Sequence, residues 1–589
     1  MFKLLKFLSK RDWLFIAISI VFIVATVWLD LKLPSYMSDI TGLLTSGGTT
    51  KEILMKGLIM LGCALGSAVL SVGVGFFVSR VASNLSFRIR EKVFSKVQSF
   101  SASEIKKFST ASLITRTTND VTQIQNLISF GLQVIIKAPV MAVWAIITIL
   151  GKSWQWSVLT AAAVGILLVV IAVLVVFVMP KFKKMQTQTD SINRIMREQL
   201  TGVRVVRAYN SESFEENRFE QANEDLTKSH LFTSRLMSLL GPVMQLVMNG
   251  LSLGIYWIGA VIIQNLASPI EKATAFGDMV VFMAYAMQIV MSFIMLTMIF
   301  IMLPRALVSA KRINEVLSSS SSILDGDGAV PKTKGEVEFK NVSFKYPDAD
   351  EYILKDISFK AEMGQTVAFI GSTGSGKSTL INLVPRLYDA TEGEVLIDGV
   401  NIKEYKINEL NNLIGYVPQK AFLFRGTIAS NLSYGQKNGK KVGQEEIEKA
   451  AEIAQALSFI DEKEGKFDGE ITQGGTNVSG GQKQRLAIAR AIARNPEIMI
   501  FDDSFSALDY KTDKKLRETL KTELSSTTNL IVAQRIGTIK DADLIVVLDQ
   551  GKVVGKGTHK ELMKNCSVYK EIATSQLSKE ELAWKTKKL

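Results

Sequence analysis

Cysteine is scarce in this chain. Its 589 residues hold two, Cys63 in an apolar run and Cys566 near the C-terminus. That excludes a framework of structural disulfides. The first residues lack the pattern of a cleaved leader. From Met1 to Arg11, Phe2, Leu4, Leu5, Phe7 and Leu8 interleave with Lys3, Lys6 and Lys10, and no small-residue cleavage site follows a short apolar core. The stretch predicts an interfacial helix rather than a signal peptide. Acidic residues are in deficit: 69 Lys and Arg against 56 Asp and Glu give a net charge of +13. In a membrane protein such a surplus reads as positive-inside bias, with attraction to anionic lipid as a second use. Nucleic-acid binding is the rival use, and the placement of the charges argues against it. Arginine is absent from the short connections 37–53, 151–153 and 265–277, which also carry little lysine.

Apolar residues are abundant instead. They make up 47% of the chain, the mean hydropathy is +0.21, and the excess lies in the first half. Six segments are long enough to span a bilayer, which takes about 20 residues. They fall near 13–36, 54–79, 126–150, 154–179, 238–264 and 278–303. The connections 80–125 and 180–237 are rich in Arg and Lys, so they and the N-terminus are expected on the cytoplasmic side. Both are helical in pattern, so the helices are expected to run on beyond the membrane. Breaks at Ser101–Ser112 and Ala208–Phe219 each allow a short crosswise helix. Short loops and the absence of targeting signals suit the plasma membrane of a bacterium.

Polar residues inside the predicted spans are few: Lys137 before Pro139, Gln245 and Asn249 in the fifth, Gln288 in the sixth. Intramembrane ionisable groups usually face a bundle interior or a watery cavity, so Lys137 is a candidate for lining a pathway. Snorkelling or pairing with a neighbouring helix is the alternative. In the sixth span Met279, Met283, Met287, Met291, Met295, Met298 and Met302 recur every three or four residues, on one slowly winding helix face. Such a face suits varied apolar ligands; ordinary helix packing explains it equally well.

A run of serines from Ser318 to Ser322, then Asp325 to Gly328 and Pro331, marks a boundary. The expected division is a membrane domain over 1–316, a linker over 317–334, an α/β domain over 335–575 and a charged tail over 576–589. In the α/β part, Gly371, Ser372, Thr373, Gly374, Ser375, Gly376, Lys377, Ser378 and Thr379 fit the phosphate-loop pattern G-x-x-x-x-G-K-[ST]. A predicted strand, Gln365 to Ile370, precedes them, and a predicted helix follows from Leu380. Backbone N–H groups of such a loop can point at phosphate oxygens, with Lys377 reaching the β/γ-phosphates and Ser378 a Mg²⁺ ion. Tyr346, upstream, is placed to stack on a base. Glu497 to Asp502 reads as a buried strand ending in a carboxylate, and Asp502 can hold Mg²⁺ directly or through water. Ser479, Gly480, Gly481 and Gln482 open a basic amphipathic helix and form a second anion site. Two such sites make sense if the loop of one chain faces the Ser479 segment of another across a nucleotide.

This order of parts resembles ABC transporters, in particular half-transporters with a six-helix membrane domain fused N-terminally to the ATPase. The resemblance spans nearly the whole chain. It implies a multidomain membrane protein with an all-α six-span domain, long cytoplasmic helix extensions and a C-terminal α/β P-loop domain. It implies ATP and Mg²⁺ as cofactors and assigns Tyr346 to the adenine. Gln419, in Gly415 to Gln419, becomes the glutamine that contacts Mg²⁺ and senses the membrane domain. Val478 to Gln482 becomes the signature motif, and Ser506 to Asp509 the D-loop. Ser101–Ser112 and Ala208–Phe219 resemble coupling helices, and two ATP molecules lie head to tail in a dimer. Two positions depart from the family pattern. Asp503 stands where hydrolysing members carry Glu, and Gln534 where they carry the switch His. Together they resemble the degenerate partner of heterodimeric bacterial multidrug exporters. The expectation is a chain that binds ATP and hydrolyses it poorly, pairs with a non-identical half-transporter in membrane lipid, and exports amphipathic small molecules. Lys137, Gln245, Asn249, Met283, Met287, Gln288, Met291 and Met295 are the candidate substrate residues. A lipid or peptide exporter and a regulatory ATP-sensing subunit are the alternatives; no peptidase domain precedes the spans.

Overall fold

The structure is a computed structural model, and it describes residues 2–45, 47–150, 154–328, 334–437 and 440–577. The chain divides into two compact units, Met1–Gln98 with Ala111–Ser319, and Ser99–Thr110 with Ser320–Leu589. The connection 151–153, Pro331 and the tail from 578 onward lie outside the described residues.

The first unit is all helical. Among the described residues six helical segments are long and apolar enough to cross a membrane: Lys10–Leu44, Thr50–Gln98, Thr110–Leu150, Trp154–Ala208, Glu212–Gln264 and Ile270–Ser318. Their length follows from the sequence pattern. The helix Trp154–Ala208 has 55 residues, about 80 Å at 1.5 Å per residue, against a hydrocarbon core of about 30 Å. Pro34, Pro139, Pro180 and Pro304 sit inside helices, which membrane packing tolerates. The third segment is not uniform: a π-helical turn at Leu127–Gly131 separates Asn119–Asn126 from Leu132–Leu150. The core is built from Val27, Leu31, Ala145, Leu167, Ile255, Phe282, Ala286 and Val290, all nearly inaccessible. The N-terminal stretch is anchored by a buried carboxylate. Asp12 accepts from Ser9 N at 2.8 Å, Asn84 Nδ2 at 3.0 Å and Arg88 Nη1 at 2.9 Å.

The two expected crosswise helices differ in outcome. Ala102–Phe108 is a separate helix, opened by a capping box between Ser101 and Glu104. It belongs to the second unit, although its sequence lies in the first half. Glu104 also accepts from Ser322 N at 3.2 Å, which ties this helix to the serine run. Ala208–Phe219 is not a separate helix. The chain turns at Tyr209–Ser211, and Glu212–Ser238 then continues as one 27-residue helix. Acidic Glu212 and Glu215 in its first turn favour a start there, and nothing between Phe219 and Ser238 breaks the helix.

The second unit contains two main sheets. Strands β1 (Val337–Phe344), β2 (Leu354–Ala361), β4 (Glu392–Ile397) and β5 (Val400–Asn401) pair antiparallel in the order β2-β1-β4-β5. The larger sheet holds β3 (Thr366–Gly371), β6 (Ile414–Val417), β7 (Ile498–Asp502), β8 (Thr528–Val532), β9 (Leu544–Asp549) and β10 (Lys552–Gly557), in the order β10-β9-β3-β8-β7-β6. Its pairings are parallel except β9 with β10. The parallel strands are covered on both faces, which is why β7 and β8 read as unbroken buried runs.

Candidate functional site

Ligands of such sheets bind outside the carboxyl ends of the parallel strands. Four neighbouring strands end together here. The phosphate loop leaves β3, Gln534 follows β8, Asp502 ends β7 and Gln419 follows β6. The loop, Gln534 and Gln419 border one cavity of about 330 Å³, and Asp502 is linked to it through Ser378. The cavity is lined by Tyr346, Ile353, Thr373, Gly374, Gly376, Lys377, Ser378, Thr379, Gln419, Asp503, Val532 and Gln534.

The loop needs glycine at two places in particular. A Cβ on Gly371 would run into the carbonyl oxygen of Leu548. Gly376 has φ 95° at the start of the helix Lys377–Leu383, and a Cβ there would press on Leu354. Lys377 Nζ donates to the carbonyls of Gly371 (2.9 Å) and Ser372 (2.7 Å) inside the loop. Burial pulls its pKa down, and Asp503 and Asp502 oppose that. Its ammonium is thus held at the concave face of the loop, where a polyphosphate would lie. Tyr346 donates or accepts at Thr379 Oγ1 (3.1 Å). Its ring stands edge-on to Tyr388, with centroids 5.3 Å apart, and Lys106 Nζ lies 5.3 Å from its centroid. Lys106 also pairs with Asp348 at 3.1 Å.

The acidic end is tightly bonded. Ser378 Oγ donates to Asp502 Oδ1 at 2.8 Å. Asp503 turns into the left-handed region, φ 48°, immediately after β7, a conformation that aspartate tolerates. Its Oδ2 accepts from Gln534 Nε2 at 2.7 Å and from Gln419 Nε2 at 3.3 Å. Burial raises the pKa of both carboxyls. The Ser378 hydrogen bond opposes it at Asp502, and the Gln419 hydrogen bond opposes it at Asp503. Asp503 and Gln534 are therefore bonded to each other.

Ser378 and Asp502 present hard oxygen donors, and Gln419 carries an amide oxygen. Among the described residues no group of three or more His, Cys, Asp or Glu could hold a metal. That donor set fits Mg²⁺, which takes one or two protein oxygens and the rest from phosphates and water.

Ser479 to Gln482 do not line this cavity. Ser479 caps the helix Gly480–Ile492: its Oγ accepts from Gln482 N at 3.3 Å, and Gln482 Oε1 accepts from Ser479 N at 2.9 Å. Gly480 has open space around its α-carbon.

The candidate substrate residues scatter over the first unit. Lys137 pairs with Asp30 at 3.4 Å. Gln245 Nε2 donates to Asn249 Oδ1 at 3.2 Å along one helix. The Gln288 amide oxygen is buried with no hydrogen-bond partner among the described residues. Met283 and Met287 are half-buried, while Met291 and Met295 are exposed. Met279 is core: it is buried, and a Cβ on Gly259 would strike its sulfur. The Met298 side chain lies outside the described residues. Sequence reading missed Asp30, although an acid inside an apolar run is a strong signal. It also missed Lys106 and Tyr388 beside Tyr346, for which no local pattern exists.

Two family models match the chain, that of the ABC transporter transmembrane region over residues 16–315 and that of the ABC transporter over 354–506. The chain belongs to the ABC transporters. An uncharacterised ABC transporter ATP-binding protein of Mycobacterium tuberculosis is 39% identical over 553 residues, 93% of each chain. The ATP-dependent lipid A-core flippase of Pseudomonas aeruginosa is 33% identical over 492 residues, 83% of this chain and 79% of the flippase. The structure of a bacterial Atm1-family ABC exporter with ATP bound superposes with a TM-score of 0.79 at 26% identity, covering 97% of this chain and 99% of that one. This ABC transporter chain is thus an exporter half, with its membrane domain fused to the ATPase, and it has the Atm1-family fold.

Proposed function

We propose that this half-transporter works beside a non-identical partner, and that its own nucleotide site holds ATP for long periods and hydrolyses it slowly. In this reading Tyr346 stacks on adenine, and residues 371–379 cradle the phosphates. Ser378 and Gln419 hold Mg²⁺, with Asp502 supporting it from Ser378. The observation that carries the proposal is the bond from Gln534 Nε2 to Asp503 Oδ2. A carboxylate that must orient an attacking water is instead capped by an amide, and it is one methylene shorter than glutamate. A displacement of about 1 Å can cost about 10²-fold in rate. The Ser479 segment has an intact cap and lies away from this chain's cavity, so it serves the partner's nucleotide. ATP bound more tightly in the closed arrangement than in the open one drives the cycle.

The cargo in this proposal is an amphipathic compound, exported across a bacterial plasma membrane. The exposed Met291 and Met295 support an adaptable apolar contact. Relatives named as lipid A-core flippases favour a lipid as the second reading. The test is ATP turnover by the purified chain alone and by the chain isolated with its native partner. Low turnover alone and high turnover in the pair is expected. Full turnover and transport by the chain alone refutes the proposal.

A further inference from the structure

The first unit contains a charge pair inside its membrane-spanning helices, and the ATPase cycle does not account for it. Asp30 lies on Lys10–Thr45, Ser67 on Thr50–Gln98 and Lys137 on Leu132–Leu150. Ser67 Oγ donates to Asp30 Oδ1 at 2.5 Å, and Lys137 Nζ sits 3.4 Å from Asp30 Oδ2. Three helices thus converge on one polar point. Neither charge is at a helix end. Lys137 lies 11 residues from one end of the predicted span 126–150 and 13 from the other, about 16 and 20 Å along the helix, deep for an ammonium that reaches water by snorkelling. Within this chain alone the pair is not sealed: the side chains keep 31% and 23% of their surface for Lys137 and Asp30. Full burial of two opposite charges carries a desolvation cost that only close geometry and complete hydrogen bonding offset. Here both remain accessible.

An apolar face follows Lys137 along its own helix. Pro139, Val140, Val143, Trp144 and Ile147 line about 570 Å³ on the same helix. The spacing of Lys137, Val140, Trp144 and Ile147 puts the lysine and this face on one stripe, about 15 Å long. A head and a tail are therefore laid out along one face.

We infer that Asp30 and Lys137 form the headgroup subsite for a zwitterionic amphiphile whose tail lies along the Pro139–Ile147 face. The inference rests on the export reading above and names its cargo class. A zwitterion can pair its cation with Asp30 and its anion with Lys137, so all four charges remain neutralised. A singly charged amphiphile pairs with one residue and leaves the other unmatched in low dielectric, which is costly. The site thus selects net-neutral, doubly charged heads over anionic or cationic ones. Ser67 holds Asp30 in place while Lys137 moves to its new partner.

The experiment uses the complex of this chain with its native partner. Three fluorescent probes share one alkyl tail and carry phosphocholine, methyl phosphate diester or trimethylammonium heads. Equilibrium binding is read in detergent, and ATP-dependent accumulation is read in sealed inside-out vesicles. Wild type is expected to bind the phosphocholine probe at least tenfold more tightly than the other two. Lys137→Met shifts the preference to the trimethylammonium probe, and Asp30→Asn shifts it to the phosphate probe. The double variant Asp30→Asn with Lys137→Met, which leaves no orphan charge to unfold the bundle, binds all three alike. Equal affinities in wild type, or equal loss of all three probes in folded single variants, overturn the inference. Binding as expected with no accumulation on ATP leaves the subsite standing and removes the export reading. A two-tailed phospholipid with the same head separates the sources: competition by it assigns the subsite to lipid, and failure to compete assigns it to single-tailed compounds.

Discussion

Replacing Asp503 with Glu and Gln534 with His should turn this chain's own nucleotide site into a fast one. The structure supplies the size of the effect. Gln534 donates to Asp503 at 2.7 Å, a hydrogen bond to a charged group, and such bonds contribute about 1.5–3 kcal/mol net. Breaking it to free the carboxylate for water therefore costs about one to two powers of ten in rate, at about 1.4 kcal/mol per tenfold. The missing methylene adds a misplacement of about 1 Å or more, worth about 10²-fold. The residues touch, so the two terms do not simply add. A gain of about 10²-fold is the expected outcome, with Asp503→Glu alone giving less. The assay is single-turnover hydrolysis by the complex carrying Ser479→Arg, which obstructs the segment proposed above to serve the partner's nucleotide. What remains reports Asp503's side. Wild-type turnover there as fast as at the partner's site, or no rise in the double variant, refutes the reasoning. A pH profile adds a second reading. Burial raises the Asp503 carboxyl above the usual carboxylate range, so the residual wild-type rate should fall on acidification earlier than an exposed carboxylate would dictate.

Three further outcomes follow from bonds elsewhere. Burial pushes the Asp398 carboxyl up from 3.8 to about 6. The folded chain therefore holds a proton that the unfolded chain releases between those values; stability falls as pH rises through that window, and the full penalty, at most about 3 kcal/mol, persists above it. Asp398→Asn keeps the bond from Glu336 N (2.8 Å) and tolerates the left-handed backbone. It should raise the melting temperature of the full chain by several degrees at pH 7.5, with the gain shrinking below pH 6. Gln576 clamps the backbone after the switch: its Nε2 donates to Gln534 O at 2.8 Å, and its Oε1 accepts from Ile536 N at 2.8 Å. Gln576→Ala should speed nucleotide release from this site by about tenfold, the order of two lost hydrogen bonds, and Gln576→Glu, which keeps the acceptor, should restore part of it. Met287→Asp and Met291→Asp should abolish transport while ATP turnover persists; unchanged transport removes the methionine face from the substrate path.

The parts of this molecule that are legible in one dimension are those set by local periodicity or by a short loop. β7 is readable because a strand covered on both faces is an apolar run, and Asp502, the polar residue that ends it, then stands out. The six spans are readable because each is one long apolar window. The turn at Tyr209–Ser211 is half legible: the break shows, but the following helix does not stop at Phe219, because no Gly or Pro interrupts it before Ser238. Contacts between distant residues leave no such trace. Lys106 reaches Asp348 across 242 positions, and Gln576 reaches Gln534 across 42. Each depends on where the topology returns the chain. Asp30 is a different case. Its charge is visible within the first span, but its meaning depends on Lys137, and only packing brings the two together.

The bond between Asp503 and Gln534 bears on why these two residue types occur together. Histidine at the switch would place a ring that can carry positive charge beside a buried carboxylate, lowering the carboxylate's pKa. Glutamine donates the same hydrogen bond but brings no charge at any pH. A short carboxylate capped by a neutral amide is thus stable without a nucleotide and does not depend on protonation of its partner. A glutamate and a histidine would trade that self-contained bond for two groups turned toward the phosphate. Either change alone leaves a mismatch, an amide that cannot reach or a carboxylate pulled from its water. The pair makes sense as a unit, and so does a site that retains Lys377, Ser378 and Asp502 for binding while its Asp503 stays bonded to Gln534 and Gln419.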